Sequence, residues 1–450
     1  MVCVAITDAT PRGISAAINR LVRSGHLVTG DRLPTVRALA AQLGISPATV
    51  SEAWQTLSSL SVVESRGRAG TIVRNTLEPS RPIRYLGIGV ESGSAALDLS
   101  TSMPDPNLLP GLHRALDALK GSALTWTSSY LDDPVLPQLE KLLRADWPCE
   151  TQRMVTVDGA LDGLSRVVDQ LVRLGDRVVI ENPGFPGLID LLETRGAEIL
   201  AVEMDDFGVV PESLMGALKR EPVALFIHPR AQNPTGASLT PQRITDLAAL
   251  LQDTRTWIVE TDHSGAISSS PDLSLGSFIP ERTIRIRSHS KSHGPDLRIA
   301  AMGGPAEILD PLMSRRMLGP GWTSRILQSL LVEVLIDEEA VAAVSHARSV
   351  YQRRSQEIRK RLMEQGVQCS PGDGINIWVE VEDERSALLT LAVAGINVAP
   401  GSPFVSESLP GHHIRITAGL LPDEPDELDA IAHRVVIAAR SQPSARGGIS

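Results

Sequence analysis

The chain is predicted to be multidomain: a small α+β head of three helices and a hairpin, then a larger α/β body built on a mostly parallel sheet. Three observations lead there. The first 60 residues hold three runs of helical periodicity, each stopped by a glycine or opened by a Ser-Pro pair. Residues 76–96, with Pro79, Pro82 and several Gly and Ser, break that pattern and read as a linker. From Leu97 onward, short apolar runs alternate with helical stretches of ten or more residues, the signature of a parallel sheet with crossover helices.

In the head, "GISAAINRLVRSG" (13–25) sets Ile14, Ile18, Leu21 and Val22 at helical spacing and stops at Gly25. A second helix is expected from about Pro34 to Leu43, ending at Gly44. A third opens on Ser46 as N-cap with Pro47 at its first position, and buries Val50, Ala53, Trp54 and Leu57. "VVESRGRAGTIV" then reads as two β-branched runs joined by an Arg and Gly turn. In the body, "RMVTVDG", "RVVIENP", "ALFIHP", "WIVETD" and "TIRIRS" are the expected strands, and "RSQPSARGGIS" a disordered tail. The expected boundaries are 1–75, 76–96, 97–440 and 441–450.

Charge is divided unevenly between the parts. The chain of 450 residues carries −10 overall, yet residues 1–75 hold eight arginines against Asp8, Asp31, Glu52 and Glu64, so the head is +4 and the rest −14. A basic head on an acidic body points to an anionic partner for the head alone. Cys3, Cys149 and Cys369 have neither metal nor disulfide spacing, so no metal site is expected. With no signal-like stretch and no apolar run long enough for a bilayer, the expected compartment is the cytoplasm, without membrane contact.

Two helices joined through "LGIS", the second opening on small polar residues, are what a helix-turn-helix needs to enter the major groove. In "SRGRAGT", Arg66 and Arg68 flank Gly67, with Gly70 beyond, so guanidiniums ride a tight turn where phosphates or the minor groove can be met. Over nearly all of residues 11–74 the head resembles the GntR-type winged helix-turn-helix. The resemblance implies that Arg37, Ser46, Thr49 and Ser51 face double-stranded operator DNA and that Arg66, Arg68 and Gly70 form the wing. Family members often carry Arg where Ala48 stands.

Lys291 is one of only five lysines against 38 arginines, and it follows the apolar run "TIRIRS" among Ser288, His289 and Ser290. Open α/β sheets put ligands at such strand ends, and a desolvated lysine there can bond a carbonyl cofactor. Arg298 and Ser288 suit a phosphate. "VTVDGALDG" runs through Gly159 into a helix whose first amides, at Gly159, Ala160 and Leu161, make an anion site. Phe185 in "ENPGFPG" could stack on a ring, Asn233 in "RAQNPTG" could bond a phenolic oxygen, and one acid of "WIVETDHSG" could pair with a pyridine nitrogen. Arg415 in "HHIRITAG" suits a substrate carboxylate.

With "NPTG" and "SHSKSHGPDLR" in this order, residues 97–440 resemble the class I/II aminotransferases of fold type I, which carry a smaller C-terminal subdomain and use pyridoxal 5′-phosphate. The resemblance implies Lys291 as the internal aldimine, Arg298, Ser288 and Ser290 around the phosphate, Asn233 on the phenolate, Phe185 on the ring and Arg415 on the α-carboxylate. It further implies a homodimer, in which Tyr130 reaches the partner subunit's phosphate. The chain departs from the pattern at Glu260, Thr261, Asp262, His263. If the pyridine partner belongs at the first of the usual acid pair, Thr261 occupies it; Asp262 could substitute by a shift of one residue, and His263 stands where a tyrosine often meets the phenolate.

A GntR-type head on an aminotransferase-like body resembles the MocR subfamily of bacterial regulators, over almost the whole chain. That implies a regulator sensing pyridoxal phosphate, an amino acid or an amine at Lys291. A working aminotransferase with a fused head and a repressor with a dead cofactor site are the alternatives.

Overall fold

The computed structural model describes residues 2–6, 8–59, 62–65, 70–74, 83–88, 95–121, 129–130 and 132–442. Arg66 and Arg68 of the wing turn, most of the linker and residues 443–450 of the tail lie outside them. The chain divides into two compact units. One is Met1–Leu86 with Val172–Asp176 and Asp190–Glu198; the other is Gly87–Leu171, Arg177–Ile189 and Ile199–Ser450.

In the head, Thr10 caps Pro11–Arg23 by accepting the Gly13 N–H at 3.1 Å. Thr35 does the same for Val36–Leu43, accepting from Ala38 at 3.2 Å, so that helix starts two residues later than Pro34. It stops at Gly44, whose φ of 66° is the left-handed conformation a glycine adopts without penalty. Pro47–Ser59 follows, with Ser46 accepting the Thr49 N–H at 3.2 Å. Val50, Ala53, Trp54 and Leu57 are buried with Ile14, Ile18 and Leu39 in one core. Strands β1 (Val63–Ser65) and β2 (Thr71–Val73) pair antiparallel, Val63 opposite Val73, and Arg32 bridges to Ile72 from outside. The sequence reading had no element for the helical turn Val2–Ala5, nor for Ile83–Leu86 inside the expected linker.

The body begins at β3 (Leu97–Leu99). Its main sheet holds β4 (Arg153–Val157), β5 (Arg177–Asn182), β6 (Glu198–Asp205), β7 (Gly208–Val209), β8 (Ala224–Ile227), β9 (Trp257–Asp262), β10 (Thr283–Ser288) and β11 (Ala300–Gly304), in the order β4-β11-β10-β9-β8-β5-β6-β7. The pairs β5–β8, β8–β9 and β9–β10 are parallel, and β11 runs antiparallel to both neighbours. Thus β4, β5, β8, β9 and β10 all end at one edge, and every expected body strand is among them. The strands of this sheet not foreseen are β6, β7 and β11, the last of which, "AAMGG", has little β propensity. A Cβ on Gly303 would fall 2.9 Å from the Trp147 ring, which explains a residue without one.

The second sheet, β12 (Ile377–Val381), β13 (Ile396–Pro400) and β14 (His412–Ile416) with β3, has the order β12-β14-β13-β3. Its core is Leu99, Ile377, Val379, Val398 and Ile414 against helices Glu338–Glu364, Glu384–Val393 and Pro425–Ala439. Among the described residues, no helix is long and apolar enough to cross a membrane.

Candidate cofactor and DNA-binding sites

Five loops leave the common edge of the main sheet, and each carries a residue singled out above. Beyond β4 is Gly159, with φ 100°, at the start of helix Ala160–Leu171. A Cβ there would lie 3.1 Å from Nη2 of Arg298, which donates to the Asp158 carbonyl at 3.2 Å. Glycine thus lets a guanidinium come close to a helix N-terminus, an arrangement suited to a phosphate. Ser288, ending β10, accepts the Ser290 N–H at 3.2 Å. Phe185 lies beyond β5, opening helix Pro186–Arg195.

Beyond β10, Lys291 donates through Nζ to the carbonyl of Ser102. Burial, and then the charge of Arg415, lower its pKa from 10.5 to about 8. Ser102 holds a positive φ of 54°, takes the Asn376 Nδ2 on its hydroxyl at 2.9 Å, and donates its N–H to Thr417 at 2.9 Å. The sequence reading missed Ser102 and Asn376, since they converge only through folding and neither stretch carries a spacing signal.

Beyond β8, Asn233 precedes a proline and is buried. Arg415 on β14, only 1% exposed, donates through Nη1 to Asn233 Oδ1 at 3.3 Å and lies 5.0 Å from the Phe404 ring centroid. Arg415 therefore orients the Asn233 amide, leaving its Nδ2 as the donor. His228, also missed, gives Nδ1 to Glu181 at 2.5 Å and meets the His263 ring edge-on at 5.4 Å. Burial, His228 and Lys291 push His263 down to about 3, so it is neutral, and its Nδ1 is buried with no hydrogen-bond partner.

Asp262, the acid considered for a pyridine ring, has both carboxylate oxygens engaged within the protein. It is 0% exposed: Oδ2 takes Arg230 Nη2 at 2.7 Å and Arg285 Nη2 at 3.4 Å, and Oδ1 takes the Gly265 N–H at 2.8 Å. Despite burial, these guanidiniums hold its carboxyl far below the ordinary range. Tyr130 is 83% exposed with its ring 5.8 Å from that of Trp322.

In the head, Arg37 and Ser46 are exposed, and Thr49 and Ser51 are half-buried. The Ser46 and Thr49 hydroxyls bond each other at 3.0 Å, so both also serve the helix cap. Gly70 has φ 87°, and Arg32, which the sequence reading passed over, runs 3.6 Å from where its Cβ would be.

Comparison with known proteins places this geometry. Residues 104–433 match the model for aminotransferase class I and II, and residues 10–73 that for bacterial regulatory proteins of the gntR family. The chain is 32% identical, over 95% of its own length and 98% of the relative's, to the vitamin B6 salvage pathway transcriptional repressor PtsJ of Salmonella typhimurium. This chain belongs to the MocR-type regulators. Other MocR-type relatives are the regulator TauR of Rhodobacter capsulatus, 28% identical over 85% of this chain and 87% of that one, and the pyridoxine biosynthesis regulator PdxR of Corynebacterium glutamicum, 27% over 88% of each. Among solved structures, a kynurenine aminotransferase from Pyrococcus horikoshii superposes with a TM-score of 0.70 at 20% identity, covering 77% of this chain and 91% of that one. Aspartate aminotransferase from Thermus thermophilus gives 0.67 at 20%, over 77% and 92%. These structures share the fold of the MocR body.

Proposed function

We propose that the chain is a homodimeric transcriptional regulator that binds operator DNA through its head and holds pyridoxal 5′-phosphate at Lys291, with that cofactor, or an amino acid or amine meeting it, as the signal. The observation that carries this reading is one continuous chain in which a gntR-type head precedes a body where a lysine of lowered pKa shares one sheet edge with Arg298 and the helix start at Gly159, the proposed phosphate cradle. The full-length likeness to a repressor of vitamin B6 salvage favours the cofactor itself as a signal.

The residues present fit the group. The close approach of Arg298 to the helix start at Gly159, the depressed pKa of Lys291 and the unpartnered Nδ1 of His263 support that fit. Bound there, pyridoxal phosphate would supply an aldehyde for amines and an aromatic ring that can accept electrons. Lys291 would give the point of attachment. Arg298, Ser288, Ser290 and the amides at Gly159 and Ala160 would hold the phosphate, joined by Tyr130 from the partner subunit. Asn233, aligned by Arg415, would donate to the phenolic oxygen with neutral His263 alongside, Phe185 would cover the ring, and Arg415 would receive a carboxylate. Arg37, Ser46, Thr49, Ser51 and the wing of Arg66, Arg68 and Gly70 would meet the DNA.

A ligand shifts DNA affinity only by binding one conformation better than another. Gel-shift titrations on the chain's own promoter region, with and without pyridoxal phosphate, test the reading. Affinity should change for the wild type and not for Lys291→Ala. Equal affinity in all four conditions would exclude the cofactor as the signal, and no binding in any would exclude the regulator.

A further inference from the structure

We propose that Thr261, and not a carboxylate, faces the ring nitrogen of the bound cofactor, leaving that nitrogen unprotonated and making the body a holder of amines rather than a transaminase. The inference rests on the reading of Lys291 given above and adds a property of this chain's own residues.

Side chains alternate along β9, so Ile258, Glu260 and Asp262 share one face and Val259 and Thr261 the other. The second face carries the cradle. Thr261 is paired in register with Ile286, and Ile286 packs against Gly163 of the helix that starts beside Gly159, within 3.3 Å of where a Cβ would be. Ser288, two residues beyond Ile286, falls on this face as well. Thr261 is itself buried, and the next residue of the same parity, His263, feels the charges of Lys291 and Arg415.

Both acids of the stretch are committed to the opposite face. Asp262 is shared by Arg230, Arg285 and the Gly265 N–H, with Arg287 Nε at 3.7 Å. Glu260, also fully buried, takes Arg285 Nη1 at 2.9 Å, Ser274 Oγ at 2.7 Å and the Leu275 N–H at 2.6 Å. Turning either acid around would strand buried guanidiniums. A hydroxyl can bond a pyridine nitrogen but, unlike an ionised carboxylate, does not favour the charged, protonated ring. An unprotonated ring accepts electrons from a substrate Cα poorly, so amines exchange at Lys291 without passing their nitrogen on.

The test uses full-length protein loaded with pyridoxal phosphate carrying 15N in its ring, with attachment to Lys291 checked by borohydride reduction and peptide mapping. The 15N resonance should lie at the unprotonated position in the wild type and in Thr261→Val, and move to the pyridinium position in Thr261→Asp. A pyridinium resonance in the attached wild type overturns the inference alone. Failure of borohydride to fix the cofactor on Lys291 overturns the underlying reading as well. Should Thr261→Asp fail to fold, the wild-type resonance still decides.

Discussion

On the proposed function, the proton affinity of Lys291 sets the pH at which the site would capture an aldehyde. An ordinary lysine sits at 10.5, whereas burial and Arg415 bring Lys291 to about 8. At pH 7 that leaves ~10% of the amine neutral instead of ~0.03%, roughly 300-fold more nucleophile. Deprotonation creates the nucleophile, so reactivity grows toward alkaline pH. The rate at which added pyridoxal phosphate attaches, followed by absorbance and checked by borohydride fixation, should climb about tenfold per unit at acid pH and flatten above about 8. In Arg415→Met the second cause disappears while burial remains, so the bend moves to higher pH without reaching the ordinary value. A wild-type rate still climbing tenfold per unit toward pH ~10 would refute the desolvated amine.

Asp262→Asn should cost about 3 to 5 kcal/mol in urea denaturation, because it leaves buried guanidiniums without their shared anion. As the folded carboxyl is depressed, its stabilising contribution is present above the ordinary carboxylate range and fades as the pH falls below it; the variant should lose that component of acid sensitivity. Gly159→Val should weaken pyridoxal phosphate binding in fluorescence titration, since a branched side chain collides with Arg298 and a φ of 100° suits only glycine; unchanged affinity would move the phosphate elsewhere. Arg37→Ala should weaken operator binding, and if the contact is to phosphate the slope of log affinity against log salt should fall by about one. Arg66→Ala with Arg68→Ala should do so more strongly; unaltered affinity would exclude the wing.

The head could be read almost residue by residue because its signals are local. Gly25, Gly44 and Ser46–Pro47 mark helix ends by their own backbone chemistry, and Val50, Ala53, Trp54 and Leu57 state a buried face by spacing. The body's strands were equally plain where buried β-branched runs form them. What stayed hidden depends on distant partners: β11 is a strand because β4 and β10 flank it, not because of "AAMGG". Ser102 meets Lys291 across 189 positions, and His228 meets Glu181 across 47. The acid pair at 260–262 could be found, but its direction could not. Alternation sets both carboxylates on one face, but which face that is follows only from the pairing of β9 with β10, which brings Arg285 and Arg287 alongside.

That separation in sequence has a consequence during synthesis. The head closes its core with Val73, whereas the bond between Lys291 and Ser102 needs a chain grown past β10. At ~5–20 residues per second, roughly ten to forty seconds separate the two events. A ribosome that stalls in that interval displays a DNA-binding head with a closed core before the lysine proposed to receive the signal has been made.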